Sequence, residues 1–151
     1  MFNTCRESGD HGPFNSWDRQ LYVTKVRSGG ITESVLKAND SFIQNFFIGN
    51  YNAQGCIDND DGSNYYVAYH NFLVYAQMGL KSDAGGFSNY HWNNIYGYLA
   101  RSCFCIDMGM KSQMEGYTDS FTDNICIFNN SDVTNYGCMV CDGVNQTAWT
   151  V

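Results

Sequence analysis

The sequence predicts an all-β solenoid of stacked parallel strands, and three observations predict it. The first is a block written twice at an offset of 23 residues. Ile57-Asp58-Asn59-Asp60-Asp61-Gly62 is answered by Leu80-Lys81-Ser82-Asp83-Ala84-Gly85, and Asn71-Phe72-Leu73-Val74-Tyr75 by Asn94-Ile95-Tyr96-Gly97-Tyr98. A fixed period in the low twenties, with apolar matched to apolar and Asn to Asn, marks a solenoid in which each repeat is one coil. Second, the repeated pieces are short, β-branched or aromatic, and bounded by Gly, Asn, Asp and Ser, so they read as strands and turns. Third, charged residues are only 15%, with 15 Gly, 11 Tyr and a single proline, Pro13. That balance suits strands joined by polar turns better than a helical bundle.

In chain order, residues 1–40 read as an irregular first coil. Cys5 to Arg19 is a loop carrying polar chemistry, since Arg, Glu, Asp, His and Trp crowd between Gly and Pro punctuation. Leu21-Tyr22-Val23-Thr24-Lys25-Val26 alternates as a strand and Ser28-Gly29-Gly30 ends it. Ile31 to Ala38 reads as a short helical excursion. Residues 41–107 are the regular coils. Here Asn45-Phe46-Phe47-Ile48 precedes Asn71-Phe72-Leu73-Val74 by 26, which lengthens one turn, and Cys105-Ile106-Asp107 follows Cys56-Ile57-Asp58 by 49, close to two coils. Residues 108–123 read as an inserted loop. Residues 124–151 form the last coil, where Asn124-Ile125-Cys126-Ile127-Phe128 repeats the Asn-led strand after 30 and Gly137 to Gly143 supplies one more strand. Roughly five coils result. Both ends read as the middle of a coil, which predicts a fragment of a longer array, because solenoids carry end caps.

Charge and cysteine content narrow the function. A net charge of −7 with no Lys/Arg cluster excludes a nucleic-acid backbone as partner. An acidic surface suits neutral sugars, cationic groups or Ca²⁺. Of the seven cysteines, Cys138 and Cys141 form a C-x-x-C, but no second pair or His pair completes a zinc site. Most are expected to be small apolar fillers, with one or two disulfides. Asn39-Asp40-Ser41, Asn129-Asn130-Ser131 and Asn145-Gln146-Thr147 are glycosylation acceptors in a eukaryotic secretory route. No signal peptide and no apolar run long enough for a membrane span is visible.

The Asn-led strands, the Gly79 to Asp83 turn and the Gly9-Asp10-His11-Gly12 loop resemble the right-handed parallel β-helix of the pectin-lyase-like superfamily, and more narrowly uncharacterised proteins with right-handed β-helix repeat regions. The resemblance covers most of residues 41–143. It implies a right-handed parallel β-helix and an extracellular or cell-surface protein that acts on polysaccharide. It does not name a reaction, since the superfamily holds lyases, hydrolases, epimerases, tailspikes and inert adhesins. In the polygalacturonases the Gly-His-Gly element follows the paired aspartates, whereas here Asp10-His11-Gly12 precedes them.

Strand alternation assigns the faces. Ile57 over Leu80 forms an interior stack, and Asn59 over Ser82 an interior polar ladder. Asp58 over Lys81 and Asp60 over Asp83 are then expected outside, about 4.8 Å apart. Two stacked carboxylates either raise one pKa or gather a cation. The first gives acid/base groups for glycosidic hydrolysis or proton abstraction, with Asp10, His11, Asp60 and Asp83 as catalytic candidates. The second gives a Ca²⁺ site at Asp58, Asp60, Asp61 and Asp83 resembling that of pectate lyases, with Lys81 or Arg19 as base; an EF-hand is excluded by spacing. Arg6, Glu7, Trp17, Arg19, Asp61 and Lys81 are the substrate-binding candidates. Trp17, Tyr65, Tyr66, Tyr69 and Tyr90 offer faces for pyranose rings. The plain alternatives are a solvated turn at Asp58 to Gly62 and a surface histidine at His11.

Two functions follow as expectations: a carbohydrate-active β-helix protein acting on an extracellular polysaccharide as hydrolase, lyase or epimerase, without cofactor or with Ca²⁺; or a non-catalytic glycan-binding, adhesive or structural module.

Overall fold

The computed structural model describes residues 11–17, 23–25, 31–33, 38–49, 53–60, 62–82, 87–107, 119–129 and 137–140. Their regular structure is all strand. After β1 (Phe14–Trp17) comes a hairpin of β2 (Val23–Lys25) and β3 (Ile31–Glu33). Coils of three strands follow: β4 (Asp40–Ile43), β5 (Phe46–Ile48) and β6 (Gly55–Asp60); β7 (Tyr66–Tyr69), β8 (Phe72–Val74) and β9 (Met78–Ser82); β10 (Tyr90–Trp92), β11 (Ile95–Leu99) and β12 (Ser102–Asp107); β13 (Ser120–Thr122), β14 (Ile125–Phe128) and β15 (Gly137–Val140).

The first strands of the coils form one sheet, β4-β7-β10-β13, and the second strands another, β5-β8-β11-β14. The third strands make the sheet β1-β6-β9-β12-β15. Pairing within these three sheets is parallel throughout. The protein is an all-β parallel β-helix solenoid.

The written-twice block is in register as its period requires. Ile57 pairs with Leu80, Asp58 with Lys81 and Asn59 with Ser82. Offsets of 26 and 30 are also met, Phe46 lying on Phe72 and Ile95 on Ile125. Four sequence expectations differ from what is found. Ile31–Glu33 is a strand antiparallel to Val23–Lys25 rather than helical; its β-branched pair Ile31-Thr32 favours extended backbone. Cys105 pairs with Lys81 and therefore stacks in the Asp58 column, not the Cys56 column. The match at 49 is local likeness, and pairing follows the Leu80–Phe104 core contact instead. Phe14–Trp17 is an edge strand rather than loop, and β13 falls within the stretch expected as an insertion.

One turn explains the recurring asparagine. Between the first and second sheets the chain passes through Gln44, His70, Asn93 and Asp123, at φ 55, 57, 52 and 53. These left-handed residues turn the chain from one sheet into the next, and each is followed by Asn45, Asn71, Asn94 or Asn124. Asn94 Oδ1 accepts from Asn71 N at 3.0 Å and Asn71 Nδ2 at 2.9 Å. Asn71 Oδ1 serves Asn45 in the same way, and Asn124 Oδ1 serves Asn94. Each inner amide also donates to a strand carbonyl, Asn71 to Phe42 O, Asn94 to Ala68 O and Asn124 to His91 O. The ladder satisfies turn groups that the corner leaves without strand partners.

The core takes a column from each sheet: Ala68, His91 and Phe121 from the first, Phe47, Leu73 and Tyr96 from the second, Ile57, Leu80 and Phe104 from the third. His91 is fully buried, with Nδ1 2.7 Å from Tyr96 Oη, and burial holds its pKa down to about 3, so the core carries a neutral imidazole. A disulfide joins Cys103 in β12 to Cys126 in β14, while Cys56 is a buried thiol. Close packing leaves Gly79 no room for a side chain. A Cβ there would lie 2.9 Å from the Tyr96 ring and closer still to Cys103 O. Gly79→Ala is expected to cost about 1–3 kcal/mol, read as a lower urea midpoint.

Candidate functional site

The chemistry-bearing residues gather on the outer face of the third sheet. On β1 the side chains alternate: Ser16 is buried and Phe14 packs against the core, while Asn15 and Trp17 are exposed. Pairing of β1 with β6 puts Asn15 beside Asp58 and Trp17 beside Asp60. Lys81 on β9 is the next register neighbour of Asp58. One outward row is therefore Asn15, Asp58, Lys81 and Cys105, and the row beside it begins with Trp17 and Asp60. His11 joins through Asn15, whose Nδ2 lies 3.1 Å from His11 Nδ1.

Asp58 and Lys81 are on the predicted face but not in solvent, which corrects the expectation of an exposed pair. Asp58 is fully buried and Lys81 is 6% exposed. Lys81 Nζ lies 3.3 Å from Asp58 Oδ1 and 3.1 Å from Asp60 Oδ1. The Asp60 contact is a hydrogen bond; the Asp58 contact is an ion pair whose direction departs from hydrogen-bond geometry. Burial pushes the Asp58 carboxyl up to about 6, the Lys81 ammonium pulls it back, and the Asp60 charge adds to the rise. The ammonium thus stands between the two carboxylates. Asp60 keeps a partly exposed side chain and is the carboxylate that an approaching molecule meets.

Among the described residues no group of three or more His, Cys, Asp or Glu side chains is arranged to hold a metal. The Ca²⁺ set is only partly visible, because Asp61 and Asp83 lie outside the described residues, as do Arg6, Glu7, Asp10 and Arg19. The structure brings together His11, Trp17, Asp58, Asp60 and Lys81.

The aromatic candidates divide. Trp17 is 63% exposed at the edge of the sheet. Tyr65 is instead buried against Phe87, and Tyr66 packs on Phe14 and Phe42. Tyr69 stacks on Trp92 at 4.6 Å and 8°, as Phe46 does on Phe72 at 5.2 Å and 9°. Rings stacked coil on coil spend their faces on each other and show edges outward, so they serve the solenoid rather than a sugar.

Sequence reasoning missed Asn15. Its place beside Asp58 rests on a β1–β6 offset of 43 residues, spanning a hairpin, that no repeat reveals. Also missed was a buried polar stack inside the corner between the third and first sheets. Ser16 Oγ donates to Ser63 Oγ and lies 3.2 Å from Asn59 Oδ1, Asn89 Nδ2 donates to Ser63 O, and Ser82 Oγ to Asp119 Oδ2. The interior placement of Asn59 over Ser82 was legible; their partners on β1 and in the turns were not.

Comparison with protein-family models, curated proteins and solved structures finds no match to the chain. Among the described residues no helix is long and apolar enough to cross a membrane.

Proposed function

We propose that the protein is a glycan-binding β-helix that holds an extracellular polysaccharide across the outer face of its third sheet. The observation that carries this reading is Trp17, exposed on the edge strand and in register with Asp60 and its Lys81 partner. An indole supplies an apolar face for a pyranose ring, and Asn15 and Asp60 offer hydrogen-bonding groups for its hydroxyls. The net charge of −7 favours a neutral chain over a uronate. The Cys103–Cys126 disulfide supports an oxidising, extracellular setting. The resemblance to the pectin-lyase-like superfamily, with its right-handed coil, supports a long groove of this kind.

Turnover is the second reading, favoured by Asp60, a partly exposed carboxylate held against the Lys81 ammonium. Asp58 is sealed from solvent, so Asp60 and His11 would exchange protons with substrate and Asp58 would hold Lys81 in place. A Ca²⁺-dependent variant adds Asp61 and Asp83.

Affinity electrophoresis on neutral and acidic polysaccharides tests binding. Retardation by a neutral glycan is expected, weakened about tenfold by Trp17→Ala, the loss of one stacked ring. Absence of retardation on every glycan, or an unaffected Trp17→Ala protein, defeats the proposal. Reducing ends or unsaturated products in the same mixtures, with and without a chelator, decide for turnover and for Ca²⁺.

A further inference from the structure

The asparagine ladder has a counterpart at the corner between the third and first sheets, and one of its rungs is an acid. Tyr66 N donates to Asn89 Oδ1 at 3.2 Å, and Asn89 N donates to Asp119 Oδ1 at 2.9 Å. Asp119 therefore stands one coil beyond Asn89 and does the work an asparagine does there. Its second oxygen accepts from Ser82 Oγ at 2.6 Å, and Asn89 Nδ2 reaches the same hydroxyl at 3.3 Å. Asp119 is 7% exposed, and Asn89 and Ser82 are buried. The groups facing it from β9 and from the turn before β10 are thus a hydroxyl and an amide, both neutral. Residues 83–86, which follow Ser82, lie outside the described residues.

We propose that Asp119 makes the joint between the coil of β10–β12 and the coil of β13–β15 pH-sensitive, closed more firmly when the carboxyl is protonated than when it is ionised. In the neutral acid, Oδ2–H donates to Ser82 Oγ while Oδ1 still accepts from Asn89 N, so both contacts survive with one reversed. In the carboxylate, a full charge is held by neutral donors with little water. Burial accordingly raises the Asp119 pKa from 3.8 to about 6, against the opposing pull of its hydrogen bonds. The sign follows: the folded state binds this proton more tightly than the unfolded chain. The stabilisation is complete below the unfolded pKa and is lost as pH rises through about 6.

His91 acts in the opposite sense, because its depressed pKa costs stability as pH falls below the ordinary histidine range. The informative quantity is therefore the difference between the wild type and Asp119→Asn, which keeps both contacts without a charge. In urea denaturation of the whole chain, the ratio of their unfolding constants is expected to rise on the order of 100-fold between pH 4 and pH 7.5, as about two units of pKa shift require. A ratio constant across that range overturns the proposal. If Asp119→Asn does not fold, the Asp119 carboxyl carbon is titrated by NMR in the wild type. An apparent pKa near 6 supports the joint, and one in the ordinary aspartate range overturns it.

Discussion

Lys81→Met is expected to destabilise the solenoid by about 3–5 kcal/mol at pH 8 and by clearly less at pH 5. The four-carbon stem of Lys81 lies buried on the outer face, so methionine keeps much of the packing while removing the ammonium that stands between Asp58 and Asp60. What remains is a buried Asp58 that has lost the ammonium beside it. Its carboxyl, already raised to about 6 with Lys81 present, rises further once the attraction is gone. A raised carboxyl favours the folded state at low pH and costs stability as pH climbs through the folded value, so the penalty is fully felt at pH 8. Adding Asp58→Asn to Lys81→Met should recover most of the loss. Equal destabilisation at both pH values, with no recovery in the double variant, would mean that only packing was lost.

Asn94→Ala is the second large effect, expected at about 2–4 kcal/mol from urea unfolding. One side chain gives an acceptor to Asn71 N and Nδ2, and donors to Ala68 O and Asn124 Oδ1. Truncation strands several of these inside a corner where Asn94 and Asn71 are buried and water does not replace them. Asn45 carries the same residue type in the same turn but is exposed and ends the described ladder. Asn45→Ala should cost under about 1 kcal/mol. Similar losses at both positions would contradict the ladder as a burial effect.

Legibility in the sequence followed contact order along the coil. Where coils keep their length, a strand's neighbour is one period away, and Ile57–Leu80 and Asn71–Asn94 could be aligned by eye. Lengthened turns were still readable, because the asparagine that leads the strand recurs at Asn45 and Asn124. The alignment failed where the anchoring contact was apolar and nonspecific, as when Phe104 rather than Ile106 took the place over Leu80. Face assignment by alternation was right for Asp58 and Lys81, but alternation says nothing about what covers a face. Partners reached across insertions between coils, Asn15 on β1 beside Asp58 and Asp119 beside Ser82, left no periodic trace.

On the proposed function, a glycan sits on the outer face bearing Trp17, Asp60 and Lys81. Titration of isotope-labelled protein with soluble neutral oligosaccharides, followed by NMR, tests it most directly. The Trp17 indole N–H and the backbone amides of Asn15 and Asp60 are expected to shift together with one dissociation constant. Shifts confined to the exposed row of Phe46, Phe72, Ile95 and Ile125 on the second sheet, with those three signals unmoved, would contradict it.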